Sequence, residues 1–249
     1  MDASTVMKPN DLFSINLFGL TFPISDSIVV MWMVMAVLIT LAIVFTRNLK
    51  TVPEGKQNVV ELVVGTINDL IKSNIGNHWK DFAPYFGTII LFLVFANTAG
   101  IFSILPTGEE LYKLTHIEFF ESLPHFAIIP PTKDLNVTAA MALMTVSLVM
   151  ISGIKYKGLL GWLKSFLKPS PVMLPFHILD YGTRTVSLSL RLFGNMLAGY
   201  IVVEMLYEGA LFVKPIIPVA SVFFDLFDAL LQAYIFVFLS SIYISEAIE

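Results

Sequence analysis

The sequence predicts an all-α membrane protein of about five transmembrane helices, with amphipathic surface helices and a long tilted pair of helices at its C-terminal end. Three observations carry that class. Of 249 residues, 56% are hydrophobic and only 14% charged, against about 25% charged in a soluble domain. The mean hydropathy is +0.79. Apolar stretches of spanning length recur, each bounded by proline, glycine or charge. The chain reads as a single integral membrane domain over 1–249, with spans near 28–45, 84–105, 134–154, 172–207 and 216–244.

Residues 1–21 are mixed in character and are expected on the outer face. Ser25 and Asp26 are alternative caps for the first span. Residues 28–45 hold 18 positions without a charge, about 27 Å of helix and enough to cross. In 54–74, Val59, Val60, Leu62, Val63, Ile67, Leu70 and Ile71 recur at helical spacing opposite Gln57, Asn58, Glu61, Asn68, Asp69 and Lys72. That is an amphipathic helix, lying on the membrane surface, on a partner or on its own protein.

Pro84 opens the second span and Pro106 ends it; Asn97, Thr98 and Ser103 make its outer half the more polar. The loop 107–133 contains His116, Glu118, Glu121 and His125, whose spacing does not put ligands on one face as a metal site needs. The third span, 134–154, has Asp134, Asn136 and Thr138 at its outer end. Lys155, Lys157, Lys164 and Lys168 surround a short segment, 158–167, read as a surface helix with Trp162 at the interface. Pro169 and Pro171 break the chain before the fourth span, which is too long for one perpendicular crossing and must tilt. Glu208-Gly209 and Lys214-Pro215 mark the turn to the last helix.

Basic residues set the orientation. With the N-terminus outside, the inner segments hold Arg47, Lys50, Lys56, Lys72, Lys80, Lys155, Lys157, Lys164 and Lys168, and the outer ones Lys8, Lys113, Lys133 and Lys214. That asymmetry satisfies the positive-inside rule, and the C-terminus is then cytoplasmic.

Chemistry concentrates on Arg191, the one full charge between Val186 and Val203. An arginine at a bilayer centre costs roughly 2.5 to above 10 kcal/mol. Its guanidinium does not shed its proton, so it needs a carboxylate or a wet cavity. On a helix of about 100° per residue, Asp180 and Arg184 fall within about 20° of Arg191, and Ser187 and Asn195 within about 40°. One stripe therefore carries all five. The plain alternative is a structural arginine satisfied by Asn195 and backbone carbonyls.

Given that orientation, the remaining polar residues form two groups. Asp225, Asp228 and Gln232 share one face in the outer half of the last helix, with Glu204, Asn97 and Asn136 at comparable depth on other helices. They read as the wall of an outer aqueous cleft, or, for Asp225 and Asp228, as a solvated helix end near Pro218. His177, Asp180, Arg184, Ser241 and Ser245 lie toward the inner side and suit a second cleft. An ion in one cleft cannot pass Arg191 to the other, because like charges repel strongly in a low dielectric.

SLSLRLFGNMLAG (187–199) resembles the signature of subunit a of F-type ATP synthases. FANTAGIFSILP (95–106), PPTKDLNVT (130–138) and LLQAYIFVFLSSIYI (230–244) are similar too, so the resemblance runs from the second span to the C-terminus. It implies a non-catalytic stator subunit in a bacterial inner (cell) membrane. The implied partners are the rotating ring of c subunits, the b-subunit peripheral stalk and the remaining synthase subunits. It also implies that Arg191 attracts an ion-free carboxylate of each c subunit and releases it to an ion from the other cleft. Arg191, Asn195 and Gln232 stand at motif positions, and Asp180 matches a position often acidic in bacterial relatives. Where many family members carry a glutamate just after the motif and a histidine two turns before the glutamine, this chain has Tyr200 and Asp225. Asp225 and Glu204 then remain as carboxylates for the outer route. The choice between protons and sodium ions stays open.

Other classes fit less well. A secondary transporter with Arg191 as counter-ion would show internal repeats and broken helices, and neither is evident. A non-transporting assembly or scaffold protein would leave ion-driven activity of its complex intact in Arg191→Ala. No G-x-x-x-x-G-K loop is present, so ATP chemistry is not expected of this chain. With no cysteine there are no disulfides or thiolate metal sites. No cofactor is implied, no basic patch suggests nucleic acid, and nothing near the start reads as a cleaved signal peptide.

Overall fold

The computed structural model describes residues 11–17, 20–47, 49–99, 130–166, 172, 174–208 and 217–248. The end of the second span beyond 99, the loop with His116, Glu118, Glu121 and His125, the prolines at 169 and 171, and Lys214-Pro215 lie outside the described residues, as do the side chains of Tyr200, Glu204 and Asp225.

The chain opens with a hairpin that the sequence reading did not anticipate. β1 (Asp11–Leu17) pairs antiparallel with β2 (Leu20–Ser25). Phe13, Ile15 and Leu17 alternate with Ser14 and Asn16, the period of a strand. Pro23, which cannot donate to a ladder, is tolerated because each strand of a two-stranded sheet is an edge. The strand runs straight into α1 (Asp26–Thr46). Ser25 has cap geometry but makes no side-chain cap bond. The Asp26 carboxylate instead accepts the Ser27 backbone N–H at 3.1 Å. In α1 Val30 and Val34 join the apolar packing, against Ala96 and Ala99, with Leu38 partly buried beside them. Trp32, Ile39, Ile43 and Val44 are exposed, as a lipid-facing helix requires. Its threonines, Thr40 and Thr46, donate to the carbonyls of Ala36 and Ala42 at 2.7 Å, which satisfies their hydroxyls without water.

α2 (Lys56–Ile75) packs on its own protein along only part of its amphipathic length. Its second half packs on the protein through Ile67, Ile71 and Ile75, whereas Val59, Leu62, Val63 and Val64 in its first half stay exposed. A 3₁₀ turn at Gly76–His78 leads to α3 (Trp79–Thr98). The helix starts five residues before Pro84, which therefore sits in the second turn rather than at the first position. After the 3₁₀ turn Pro131–Lys133 comes α4 (Leu135–Phe166), a 32-residue run interrupted at Gly158 (φ 71, ψ 158). The expected short helix is thus the continuation of α4 beyond a kink. Trp162 on that continuation folds back onto Gly153, where an added Cβ would lie 2.6 Å from the indole.

α5 (Leu174–Glu208) and α6 (Ile217–Ile248) hold 35 and 32 residues. A 35-residue helix is about 52 Å long, well beyond the ~30 Å hydrocarbon core. The common core lies among α2 to α6 and includes Ile71, Phe86, Leu93, Leu188, Leu192, Phe236, Val237 and Ile244. Four stretches among the described residues are long and apolar enough to cross a membrane: Asp26–Thr46, one within Lys56–Thr98, Leu135–Phe166 and Leu226–Ile248. We call the end of the bundle formed by the start of α3, the kinked tail of α4, the start of α5 and the end of α6 the basal end.

Gly153 and Gly158 generate a prediction. The Gly158 backbone suits glycine alone, and Gly153 has no room for a methyl group. Gly153→Ala and Gly158→Ala should each destabilise the protein by about 1–3 kcal/mol. The check is the thermal midpoint of the detergent-purified complex, with Gly161→Ala, whose added Cβ would meet only a lysine methylene at 3.5 Å, close to wild type.

Candidate functional site

Leu188, Leu192 and Met196 recur every fourth residue along α5 and are all buried. Leu188 and Leu192 share a core with Met141 and Ala142 of α4 and with Ala233, Phe236 and Val237 of α6, where Ala229 is buried too. The alanines let the two backbones approach closely. Arg191 is one residue off this buried row, so it stands at the edge of the seam, half-buried. Val186 and Leu190 on α5 and Leu230, Leu231 and Tyr234 on α6 are exposed apolar residues of the same two helices.

The Arg191 guanidinium makes one bond among the described residues, Nη2 donating to the Ser187 hydroxyl at 3.4 Å. That is a long contact with a neutral group. Among the described residues no carboxylate lies within 4 Å of it; their ion pairs involve Lys50, Lys155 and Arg184. Nor does Asn195 satisfy it. The Asn195 Nδ2 donates across the seam to Gln232 Oε1 at 2.7 Å. Gln232 is 1% exposed and Asn195 half-buried, so this amide pair is a partly buried tie between α5 and α6, one turn from the arginine. The stripe expected from helical spacing is present as a row, but it divides into partners. Ser187 goes with Arg191, Asn195 with Gln232, and Asp180 with Arg184.

Two turns toward the basal end, Arg184 is the opposite case. Its Nη2 lies 2.7 Å from Asp180 Oδ2 and 2.7 Å from Glu246 Oε2. Its guanidinium sits 4.3 Å from the centre of the Tyr243 ring. These groups line an open cleft of about 250 Å³ at the basal end, with His177 and Trp162 among its walls. The His177 Nε2 in that wall is buried and has no partner among the described residues. Ser241 is not part of the cleft. It is buried and accepts from Asn74 Nδ2 of α2 at 2.7 Å.

At the other end the expected outer group separates. Gln232 is dry, and Asp228 is half-buried one turn away. Asn97 is fully buried, bonded by the Thr132 hydroxyl and not on an open wall. Asn136 is exposed, its backbone N–H bonded to Asp134 at 2.9 Å. Glu204 and Asp225 occupy helical positions on α5 and α6.

Glu246 and Tyr243 were the residues that sequence reasoning missed. The signal was an antiparallel register. Once Asn195 faces Gln232, position 184 faces position 243, and Glu246 follows one turn later on the same face.

A family model described as ATP synthase A chain matches residues 28–245, from the first helix to the last turns of α6. The match includes the arginine, its seam and the basal-cleft residues up to Tyr243, and stops just short of Glu246. The chain therefore belongs to the ATP synthase A chain family, that of subunit a of the F-type ATP synthases.

Proposed function

We propose that this chain is the ion-translocating stator of a rotary ATP synthase, and that Arg191 separates two aqueous half-channels. The basal cleft, with His177, Asp180 and Arg184, serves the cytoplasmic side. Asp228, with Glu204 and Asp225, serves the outer side. Ions, protons or sodium, pass from each half-channel to a carboxylate on the neighbouring c-ring, and the b-subunit stalk holds the stator still. The N-terminus lies outside and the C-terminus in the cytoplasm of a bacterial cell, as the basic residues of the basal end favour.

One observation carries this reading: Arg191 has no carboxylate of its own among the described residues, whereas Arg184, two turns away, has two. A half-buried guanidinium on an apolar surface attracts any carboxylate that comes alongside. A carboxylate on a moving neighbour can come and go; one on the same chain could not. While the site is occupied by the fixed cation, a free ion cannot cross. Net flow then needs the ring to turn. Each elementary charge that falls through 100 mV releases about 2.3 kcal/mol to drive that turn.

Two predictions follow from this assignment. Arg191→Ala should abolish both ATP-driven ion pumping and ion-driven ATP synthesis in reconstituted vesicles, at least about a thousandfold if the cation is worth 4 kcal/mol or more in the barrier. Coupled synthesis near the wild-type rate would overturn the reading. The Asn195–Gln232 tie makes a separate expectation. Gln232→Leu should destabilise the subunit by about 1 kcal/mol, because the half-buried Asn195 loses its partner across the seam. Adding Asn195→Leu should recover most of that loss in thermal midpoint, while coupled pumping stays low in both variants.

A further inference from the structure

We infer that Arg184 is a positioning residue for Arg191: its bond to Glu246 pins the basal ends of α5 and α6 together and so fixes the roll and height of the half-buried cation. The inference rests on the function proposed above and adds a role for Arg184, Tyr243 and Glu246.

The geometry is that of a cross-helix fastening. Asp180 and Arg184 are one turn apart on α5, so their 2.7 Å contact aligns the guanidinium without joining two helices. Glu246 is on α6, and its equal 2.7 Å contact does join them. The Tyr243 ring, 4.3 Å beneath, fixes the plane of the guanidinium. The Arg184 side chain is 20% exposed and that of Glu246 53%, so the pair is solvated on the acid's side and held on the arginine's by the Tyr243 ring. Four residues on the other side of Arg191, Asn195 bonds Gln232 at 2.7 Å. Arg191 thus lies between two fastenings made to the same partner helix.

That bracket matters because Arg191 itself is almost untethered. A roll of α5 by about 20° would carry a side-chain tip about 6 Å from the helix axis through about 2 Å. In an active site, misplacement by about 1 Å costs up to roughly a hundredfold. With apolar faces of similar character on either side of the seam, side-chain packing alone sets helix roll weakly in a lipid environment. A charge-assisted contact at one end and an amide pair at the other remove that freedom.

The test uses the reconstituted complex and the absence of cysteine from this chain. Arg184→Gln and Glu246→Gln should each lower ion-driven ATP synthesis about tenfold or more. The double variant should be no worse than the poorer single one, since both remove the same fastening. In Arg184→Cys/Glu246→Cys, synthesis should be low when reduced and should recover several-fold once a short thiol cross-linker bridges the two helices. A covalent link restores position but not charge. Multiplicative losses in the double variant, or a completed cross-link that leaves the rate unchanged, would assign Arg184 an electrostatic role in the cleft and overturn the inference. Wild-type rates in Glu246→Gln, the milder change because Arg184 keeps Asp180, would overturn it as well. Arg191→Ala in the same assay separates the two levels. If that variant still couples, the stator reading itself fails; if it does not and the Glu246 variants behave normally, only the positioning role fails.

Discussion

A permanent positive charge held on an apolar wall without a carboxylate from its own described residues is the condition on which the rest of this structure turns. Arg191 cannot neutralise itself by losing a proton, and Ser187 offers only a long bond to a neutral oxygen. The folded chain therefore carries an unsatisfied electrostatic demand at mid-helix. Such a demand is tolerable only if the surrounding helices are stable without it. The buried rows Leu188, Leu192 and Met196 on α5, and Ala229, Ala233, Phe236 and Val237 on α6, supply that stability beside the arginine rather than through it.

The contrast with Arg184 sharpens the point. Both arginines sit on one helix, seven positions apart, on nearly the same face. One is held by Asp180, Glu246 and the Tyr243 ring; the other is left free of acids among the described residues. Had the fold required only a satisfied cation in this stripe, Arg184 would have been enough. Proximity of Asp180 in sequence does not decide which arginine it serves, because 184 is one turn from it and 191 is three. A carboxylate side chain reaches across one turn and not across three.

Much of this was legible before any coordinates. Length and hydropathy pointed to five spans; four stretches among the described residues are long and apolar enough to cross, and the expected span at 172–207 is not among them. Arg191 stood out because a lone charge in an apolar run is costly, and that argument needs no partner. The stripe was visible from helical spacing, but its division into pairs was not, since spacing gives direction and not distance. The Arg184–Glu246 contact needed the register of two antiparallel helices, which one sequence does not supply. The β1–β2 hairpin was missed because the short alternation of period two in Phe13, Ile15 and Leu17 lies in a segment read only as mixed in character. The continuation of α4 past Gly158 was half legible: the break was seen, but not that Trp162 returns to fill the space left by Gly153.

The way the helices are joined explains how such a demand can be held in place. Apolar packing between spans gains little in lipid, because the tails are as apolar as the side chains they replace. What distinguishes one register from another is polar contact. Tyr85 of α3 shares a hydrogen bond with Thr145 of α4 at 3.1 Å, and Thr138 of α4 lies 3.4 Å from Ser189 of α5. Asn195 of α5 bonds Gln232 of α6, and Ser241 of α6 accepts from Asn74 of α2. These ties run without interruption from α3 through α4, α5 and α6 to α2. Each is worth on average only about 0.6 kcal/mol by measurements on membrane helices. Their combined stabilisation is therefore modest, and their larger effect is to exclude slipped or rolled arrangements in which one of them would be broken inside a dry interface. A bundle specified in that way can present a guanidinium with no carboxylate among the described residues at a fixed place, because moving the arginine means breaking bonds elsewhere.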